Sequence, residues 1–365
     1  MVDRKFGEDL PVVNAPLRLL VAASGTGGHL FPALATAQEL TEYRIEWLGV
    51  PNRLETELVP ADYPLHTVGV EGFQQRLGLG TLVIAWKLMG AVWQVRRLLQ
   101  QGGFQGVLTT GGYIAAPAIL AARSLGLPVI FHESNVLPGK VTRWFSRWCR
   151  VVAIGFEASA QYLPQANTVY VGTPVRSQFL TPQVLDLEIP EGVPVIAVVG
   201  GSQGAVAVNQ LVRQCAPGWM AAGAWIVHQT GEQDPDAGCL QHRQYLSFPF
   251  SDQMAALFQR ADLVIGRAGA GTLTELAITG TPSILIPYPY AAEDHQRFNA
   301  EVFVRAGAAI LFNQKLLTAQ QLEETVLELL NSPDQLKGMS VAAKRLGVPD
   351  SVKQLAGLVR QQINI

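Results

Sequence analysis

The chain has 365 residues, enough for two domains of ordinary size, each with its own core. Apolar residues make up 48% and charged residues 15%, which excludes a largely disordered chain, and a formal net charge of −2 provides no basic field for nucleic acid. Cys149, Cys215 and Cys239 lie too far apart for a paired zinc or redox motif and fit a reducing compartment.

Residues 1–16 are mixed and charged, without the apolar centre of a signal peptide, and read as a loose leader. The first strand is expected over 17–23, followed by Ser24-Gly25-Thr26-Gly27-Gly28-His29 and a helix over 31–40. This loop has no phosphate-binding lysine and lacks dinucleotide spacing, which disfavours a Walker-type ATPase. Its glycines either make a tight packing turn or leave amides at a helix start free for an anion. A neutral imidazole at His29 is placed to accept a proton from an attacking hydroxyl.

Strands follow over 44–49, 106–110, 128–132, 151–154 and 168–171. The apolar run 79–95 is broken by Lys87 and Gln94, short of the roughly 18 uninterrupted residues of a spanning helix. It predicts a soluble or peripheral protein. The run 79–99, flanked by Arg76, Arg96 and Arg97, reads either as a core helix or as part of a membrane-facing patch. Thr110-Gly111-Gly112-Tyr113 and His132-Glu133-Ser134-Asn135 each follow a strand, so both are expected at the carboxyl edge where α/β sheets bind ligands. Lys140, Arg143, Arg147 and Arg150 recur at spacings of three and four, beside Val141, Trp144, Phe145 and Trp148. On one helix these make a basic amphipathic surface suited to anionic lipid.

Residues 172–194 contain four prolines and read as an interdomain linker. The strand–glycine loop–helix opening then repeats, with a strand over 195–199, Gly200-Gly201-Ser202-Gln203-Gly204-Ala205, and a helix from about Val208. Further strands are expected over 224–229, 246–249, 263–266, 283–286 and 309–311, with a last helix over 350–362. The stretch from Arg267 to Glu275 follows a strand and opens a helix whose amides and dipole can hold a diphosphate without metal. Glu275 either complements that dipole or accepts hydrogen bonds from a ribose. Asp294, His295, Gln296 and Asn299 would bring sugar-reading groups to the same edge. The fold class is therefore α/β, with two Rossmann-like parallel-sheet domains facing each other across a cleft.

These motifs together resemble one family. GTGGHLFPALA from Gly25, GGY from Gly111, HESN from His132, VGTPVR from Val171 and GGSQGA from Gly200 occur in order. HQTG from His228, the stretch from Phe250, RAGAGTLTE ending at Glu275 and DHQRFNA from Asp294 complete the series. In this order and spacing the chain resembles the MurG family, the GT-B-fold, inverting lipid I N-acetylglucosaminyltransferases of peptidoglycan synthesis. The resemblance implies an acceptor- and membrane-binding domain over 1–178, a donor domain over 179–349, and a terminal helix over 350–365 packing back on the first.

It also implies transfer of N-acetylglucosamine from UDP-N-acetylglucosamine to undecaprenyl-pyrophosphoryl-N-acetylmuramoyl-pentapeptide, giving lipid II for cell-wall growth, cell shape and division. His29 and Asn135 fall at catalytic positions, and Asn135 also at a donor one. Donor contacts fall to Thr26, Gly27, Gly28, Arg176, Ser202, Ser251, Ala270, Gly271, Thr272, Glu275, His295 and Gln296. Acceptor contacts fall to Gly25, Thr26, Gly27, Gly28, Gly111, Gly112, Tyr113, His132 and Glu133. Trp86, Trp93, Arg143, Trp144, Arg147 and Trp148 would meet an anionic membrane, at the cytoplasmic face of a bacterial inner membrane, with other cell-wall proteins as possible partners. No cofactor and no obligatory metal are expected. The chain departs from the family pattern at Ser134, at Ala115-Ala116 and at Thr142, all on the acceptor side. A different UDP-sugar enzyme of this architecture, a glycolipid glycosyltransferase or an epimerase, is the alternative.

Overall fold

The computed structural model describes residues 16–70, 79–201 and 204–363. The expected leader (bar Pro16), Arg76 and Ser202 fall outside these residues. The first half runs β1 (Arg18–Ala23), α1 (Gly27–Glu39), β2 (Arg44–Gly49), α2 (Glu55–Leu58), β3 (Leu65–Thr67) and α3 (Leu79–Gly102). It continues through β4 (Gly106–Gly111), α4 (Ala115–Ser124), β5 (Val129–Glu133), α5 (Lys140–Phe145), β6 (Val151–Ile154) and β7 (Thr168–Tyr170). The second half holds β8 (Val195–Val199), α6 (Val206–Ala221), β9 (Trp225–Gln229), β10 (Tyr245–Phe248), α7 (Met254–Arg260), β11 (Leu263–Gly266) and α8 (Ala270–Thr279). Then come β12 (Ser283–Leu285), α9 (His295–Arg305), β13 (Ala309–Leu311), α10 (Ala319–Leu330), α11 (Pro333–Leu346) and α12 (Ser351–Ile363).

Two parallel sheets result, ordered β3-β2-β1-β4-β5-β6-β7 and β10-β9-β8-β11-β12-β13. Central strands such as Val195–Val199 are apolar and buried along their whole length, because helices cover both faces of a parallel sheet. In each sheet the strand order reverses beside the first strand of that half, between β1 and β4 and between β8 and β11. At such switch points adjacent loops diverge to opposite faces and leave a crevice at the carboxyl edge. Both glycine loops open there.

The last helix belongs to the first half's packing. Leu355, Ala356, Val359 and Ile363 are buried among Leu19, Val21 and other residues of the first sheet's core. Arg360 ties α12 to Glu42 and to the Glu39 carbonyl at the end of α1.

Three local expectations change. Helix α1 begins at Gly27, inside the loop, so His29 is a first-turn helical residue. Edge strand β3 is additional to the expected set. The basic stretch from Lys140 is not one helix: α5 ends at Phe145, a 3-10 turn covers Ser146–Trp148, and Cys149 is extended as the chain enters β6. Arg147 and Arg150 therefore leave the helical face that carries Lys140 and Arg143.

Candidate active site

The first glycine loop is held from below by a residue the sequence did not mark. Glu55 is fully buried and accepts the Gly25 amide at 3.2 Å and the Val50 amide at 2.7 Å. It pins the turn after β1 to the turn after β2. Ahead of α1, Gly25 adopts φ of 103°, a conformation that favours glycine. Gly28 and Thr26 are exposed at the start of α1, with Gly25, Gly27 and His29 half-buried.

His29 is oriented by the neighbouring strand. Its Nδ1 lies 2.8 Å from the Thr110 carbonyl, and because a carbonyl only accepts, Nδ1 carries the proton. Nε2 of the neutral ring is then the basic nitrogen. The Thr110 hydroxyl donates back to the His29 carbonyl at 2.7 Å. Gly111, at φ of 110°, passes so close that a β-carbon there would meet Nδ1 at 2.8 Å. Gly112 approaches Ser24 as tightly, its notional β-carbon 2.3 Å from the Ser24 carbonyl oxygen. The GGY glycines thus let two loops pack and fix the imidazole, while Tyr113 sits half-buried beside them.

The loop after β5 is organised inward. Glu133 accepts the Asn135 amide at 3.0 Å and side chain at 3.1 Å, the Gly139 amide at 3.1 Å, and the Thr142 hydroxyl. Both carboxylate oxygens are engaged within the loop. His132 is fully buried and its Nε2–H donates to the Gly172 carbonyl at 3.0 Å; Ser134 lies 3.4 Å from its other nitrogen. Burial holds the His132 pKa below its ordinary value. These two side chains fix the loop's shape, leaving its backbone and Asn135 to face the cleft.

Across the cleft, α8 starts at Ala270 after Gly269, and the first helical acceptance is from Leu273 to the Gly269 carbonyl at 3.0 Å. The amides of Ala270, Gly271 and Thr272 precede that bond at the positive end of the helix dipole. Glu275 lies on the same helix. Its carboxylate receives Nη2 of Arg176 at 3.0 Å, and that guanidinium stacks 4.5 Å from the Phe31 ring and 5.0 Å from the Phe179 ring. Burial pushes the Glu275 pKa up, with Arg176 acting in the opposite direction. Phe31 lies two residues beyond His29, so Arg176 joins α1, which carries His29, to α8, which carries Glu275.

The remaining positions expected to contact the donor lie at the starts of α7 and α9, the helices that pack beside α8. The Ser251 hydroxyl accepts the Gln253 amide at 3.1 Å ahead of α7. His295 donates from Nδ1 to the Ala292 carbonyl at 2.9 Å, and Gln296 accepts the Tyr288 amide at 2.9 Å, which orients both at the start of α9. Asn299, fully buried on α9, bridges the halves: it accepts the Val136 amide at 2.9 Å and donates to Asn135 at 3.1 Å.

The residues expected at a membrane divide. Trp86, Met89 and Trp93 are 77%, 62% and 61% exposed along one face of α3, and Trp144 on α5 is 53% exposed, so these large apolar side chains lie outside the core. Trp148 is half-buried, with the guanidinium groups of Arg123 and Arg147 each 5.0 Å from its ring. Arg143 crosses the cleft to the carboxylate of Glu293, a partner that sequence spacing could not reveal. Among the described residues no helix is long and apolar enough to cross a membrane.

Comparison with known proteins agrees with this geometry. Residues 19–154 match the glycosyltransferase family 28 N-terminal domain and 195–355 its C-terminal domain. A Trichormus variabilis protein named UDP-N-acetylglucosamine--N-acetylmuramyl-(pentapeptide) pyrophosphoryl-undecaprenol N-acetylglucosamine transferase is 66% identical, covering 96% of this chain and 99% of its own. A Synechocystis protein of the same name is 61% identical over 96% and 99%. The crystal structure of Acinetobacter baumannii MurG superposes with a TM-score of 0.77 at 31% identity, covering 95% of this chain and all of that one. A putative UDP-N-acetylglucosamine 2-epimerase from Listeria monocytogenes, at 15% identity and a TM-score of 0.66, shares the fold. With paired α/β lobes, family 28 domains in both halves and near-complete coverage by such close relatives, this chain belongs to the MurG family of UDP-N-acetylglucosamine–N-acetylmuramyl-(pentapeptide) pyrophosphoryl-undecaprenol N-acetylglucosamine transferases.

Proposed function

We propose that this chain transfers N-acetylglucosamine from UDP-N-acetylglucosamine to N-acetylmuramyl-(pentapeptide) pyrophosphoryl-undecaprenol, completing lipid II. The observation that carries the reading is the bridge from α1 to α8 through Phe31, Arg176 and Glu275, which supports a shared cleft for His29 and a donor held at α8. Nε2 of His29 takes the proton of the acceptor hydroxyl as its oxygen bonds to the anomeric carbon. The bond from that carbon to the diphosphate oxygen breaks with its electron pair, and UDP leaves from the opposite side, inverting the centre. The amides of Ala270, Gly271 and Thr272 stabilise the charge on the departing diphosphate, with no obligatory divalent ion. Glu275 holds the ribose, and His295 and Gln296 read the sugar.

The acceptor's lipid tail calls for a surface. Exposed Trp86, Met89, Trp93 and Trp144, together with the Arg123 and Arg147 guanidinium groups against Trp148, support docking against anionic headgroups at the cytoplasmic face of the plasma membrane. Incubating the purified protein with UDP-N-acetylglucosamine and a short-chain lipid I analogue should give the disaccharide product and UDP, in excess EDTA as well. Conversion of the nucleotide sugar to its 2-epimer without acceptor, and no disaccharide, would replace this reading with the epimerase one.

A further inference from the structure

Beneath the second glycine loop lies a buried polar cluster that none of the steps above uses. Arg213 on α6 pairs with Asp234 through two hydrogen bonds, of 2.8 and 3.2 Å, their side chains 8% and 0% exposed, so the pair lies within the protein. Asn209, one turn earlier on α6, donates to Asp234 at 2.7 Å and to the Thr230 carbonyl at 2.8 Å. Its own oxygen accepts Nε2–H of His228 at 3.0 Å, and the Tyr245 hydroxyl donates to the other ring nitrogen at 2.7 Å. Every polar group in this chain of contacts has a partner, which fixes the Asn209 amide in one orientation.

What the cluster holds is the Thr230–Gly231 turn after β9, and that turn touches both donor loops. The Thr230 carbonyl oxygen lies only 2.3 Å from where a β-carbon on Gly204 would sit, so the second glycine loop rests on it. The Thr230 and Gly231 amides donate to the carbonyls of Phe248 and Pro249 at 3.0 and 3.1 Å, which sets the segment leading to Ser251. One turn therefore registers the diphosphate side of the donor site against its base side. A buried ion pair is a weak source of stability compared with apolar side chains of the same volume, so its presence here marks placement.

We propose that Arg213 and Asp234, acting through Asn209, are positioning residues for the nucleotide: they hold the Thr230–Gly231 turn so that the base-side and diphosphate-side loops bind UDP together. This rests on the donor reading of the second domain. It does not depend on the acceptor, so UDP binding alone tests it.

Titration calorimetry with UDP, run well below each variant's melting temperature, separates the possibilities. Asp234→Ala should weaken UDP binding about tenfold or more and raise KM for the nucleotide sugar in parallel, with kcat nearly unchanged. Tyr245→Phe, which leaves the ion pair in place and removes one hydroxyl, should fold and weaken UDP by about threefold. Arg213→Lys, which keeps the charge beside Asp234, should restore most of the affinity lost in Arg213→Ala. A purely structural cluster would lower the melting temperature and leave the UDP affinity of the folded protein alone; that outcome overturns the proposal. Failure of the wild-type protein to bind UDP would overturn the donor reading, and this inference with it.

Discussion

Nη2 of Arg176 lies 3.0 Å from Oε1 of Glu275, joining the segment between the two sheets to helix α8. Glu275 is half-buried and its pKa is raised by burial, so Arg176 helps keep the carboxylate ionised where a ribose would need it. Replacing Arg176 with Ala removes the one influence that pulls this pKa down. The acid limb of the KM profile for UDP-N-acetylglucosamine, measured from about pH 5 to 9, should move to higher pH. A limb that stays in place would separate Glu275 from donor binding.

Glu275→Ala tests the same carboxylate directly. Losing a charge-assisted hydrogen bond to a ribose hydroxyl, about 1.5–3 kcal/mol, should raise KM for the nucleotide sugar at least about 10-fold and up to about 150-fold. Steady-state kinetics at saturating acceptor read this, and kcat should change far less than KM.

His29 should behave in the opposite way. His29→Ala removes the proton acceptor and should lower kcat by about 10²- to 10⁴-fold with little change in donor KM. Gly111→Ala brings a methyl group to 2.8 Å from Nδ1 of His29, closer than the ring can tolerate without shifting, and strains a φ of 110°. It should lower kcat without touching any donor contact. Unchanged turnover in both variants would remove the imidazole from proton transfer.

The legibility of this chain in its sequence was uneven, for physical reasons. Strands such as Arg44–Gly49, Val151–Ile154 and Leu263–Gly266 stood out because apolar runs between turn residues leave few alternatives. Edge strand Leu65–Thr67 did not, being three half-buried or exposed residues without alternation. The helical face drawn through Lys140 and Arg150 failed because spacing cannot foresee a 3-10 turn at Ser146. In the site, glycine loops and the Arg267–Glu275 stretch announced themselves locally. Glu55, and the Arg213–Asp234 cluster spread from Asn209 to Tyr245, are made of contacts distant in sequence and leave no local pattern.

Acid should destabilise the second domain through His228. Burial pushes its pKa down to about 3, so the folded ring stays neutral while the unfolded ring gains a proton below its ordinary value of about 6.5. Stability is then complete above that value and falls as pH drops towards 3. At pH 5 the loss from this residue is about 2 kcal/mol. Urea unfolding of wild type and His228→Gln at pH 7.5 and 5 should show a smaller pH effect in the variant.

The exposed tryptophans give a binding prediction. Trp86→Ala with Trp93→Ala should weaken association with vesicles containing anionic lipid by about tenfold or more, equivalent to at least about 1.4 kcal/mol of lost apolar contact. Turnover of a water-soluble acceptor analogue should be unaffected. Equal sedimentation of variant and wild type with vesicles would move the membrane contact elsewhere.

Helix α12, the last described element, fills the flank of a sheet whose first strand starts near residue 18. During synthesis on the ribosome the early half must therefore wait, with Leu19 and Val21 lacking their final neighbours, until residues 351–363 have emerged. Cutting the gene between the lobes would give an amino-terminal fragment with a bare apolar groove, whereas supplying residues 351–363 as a separate peptide should close it.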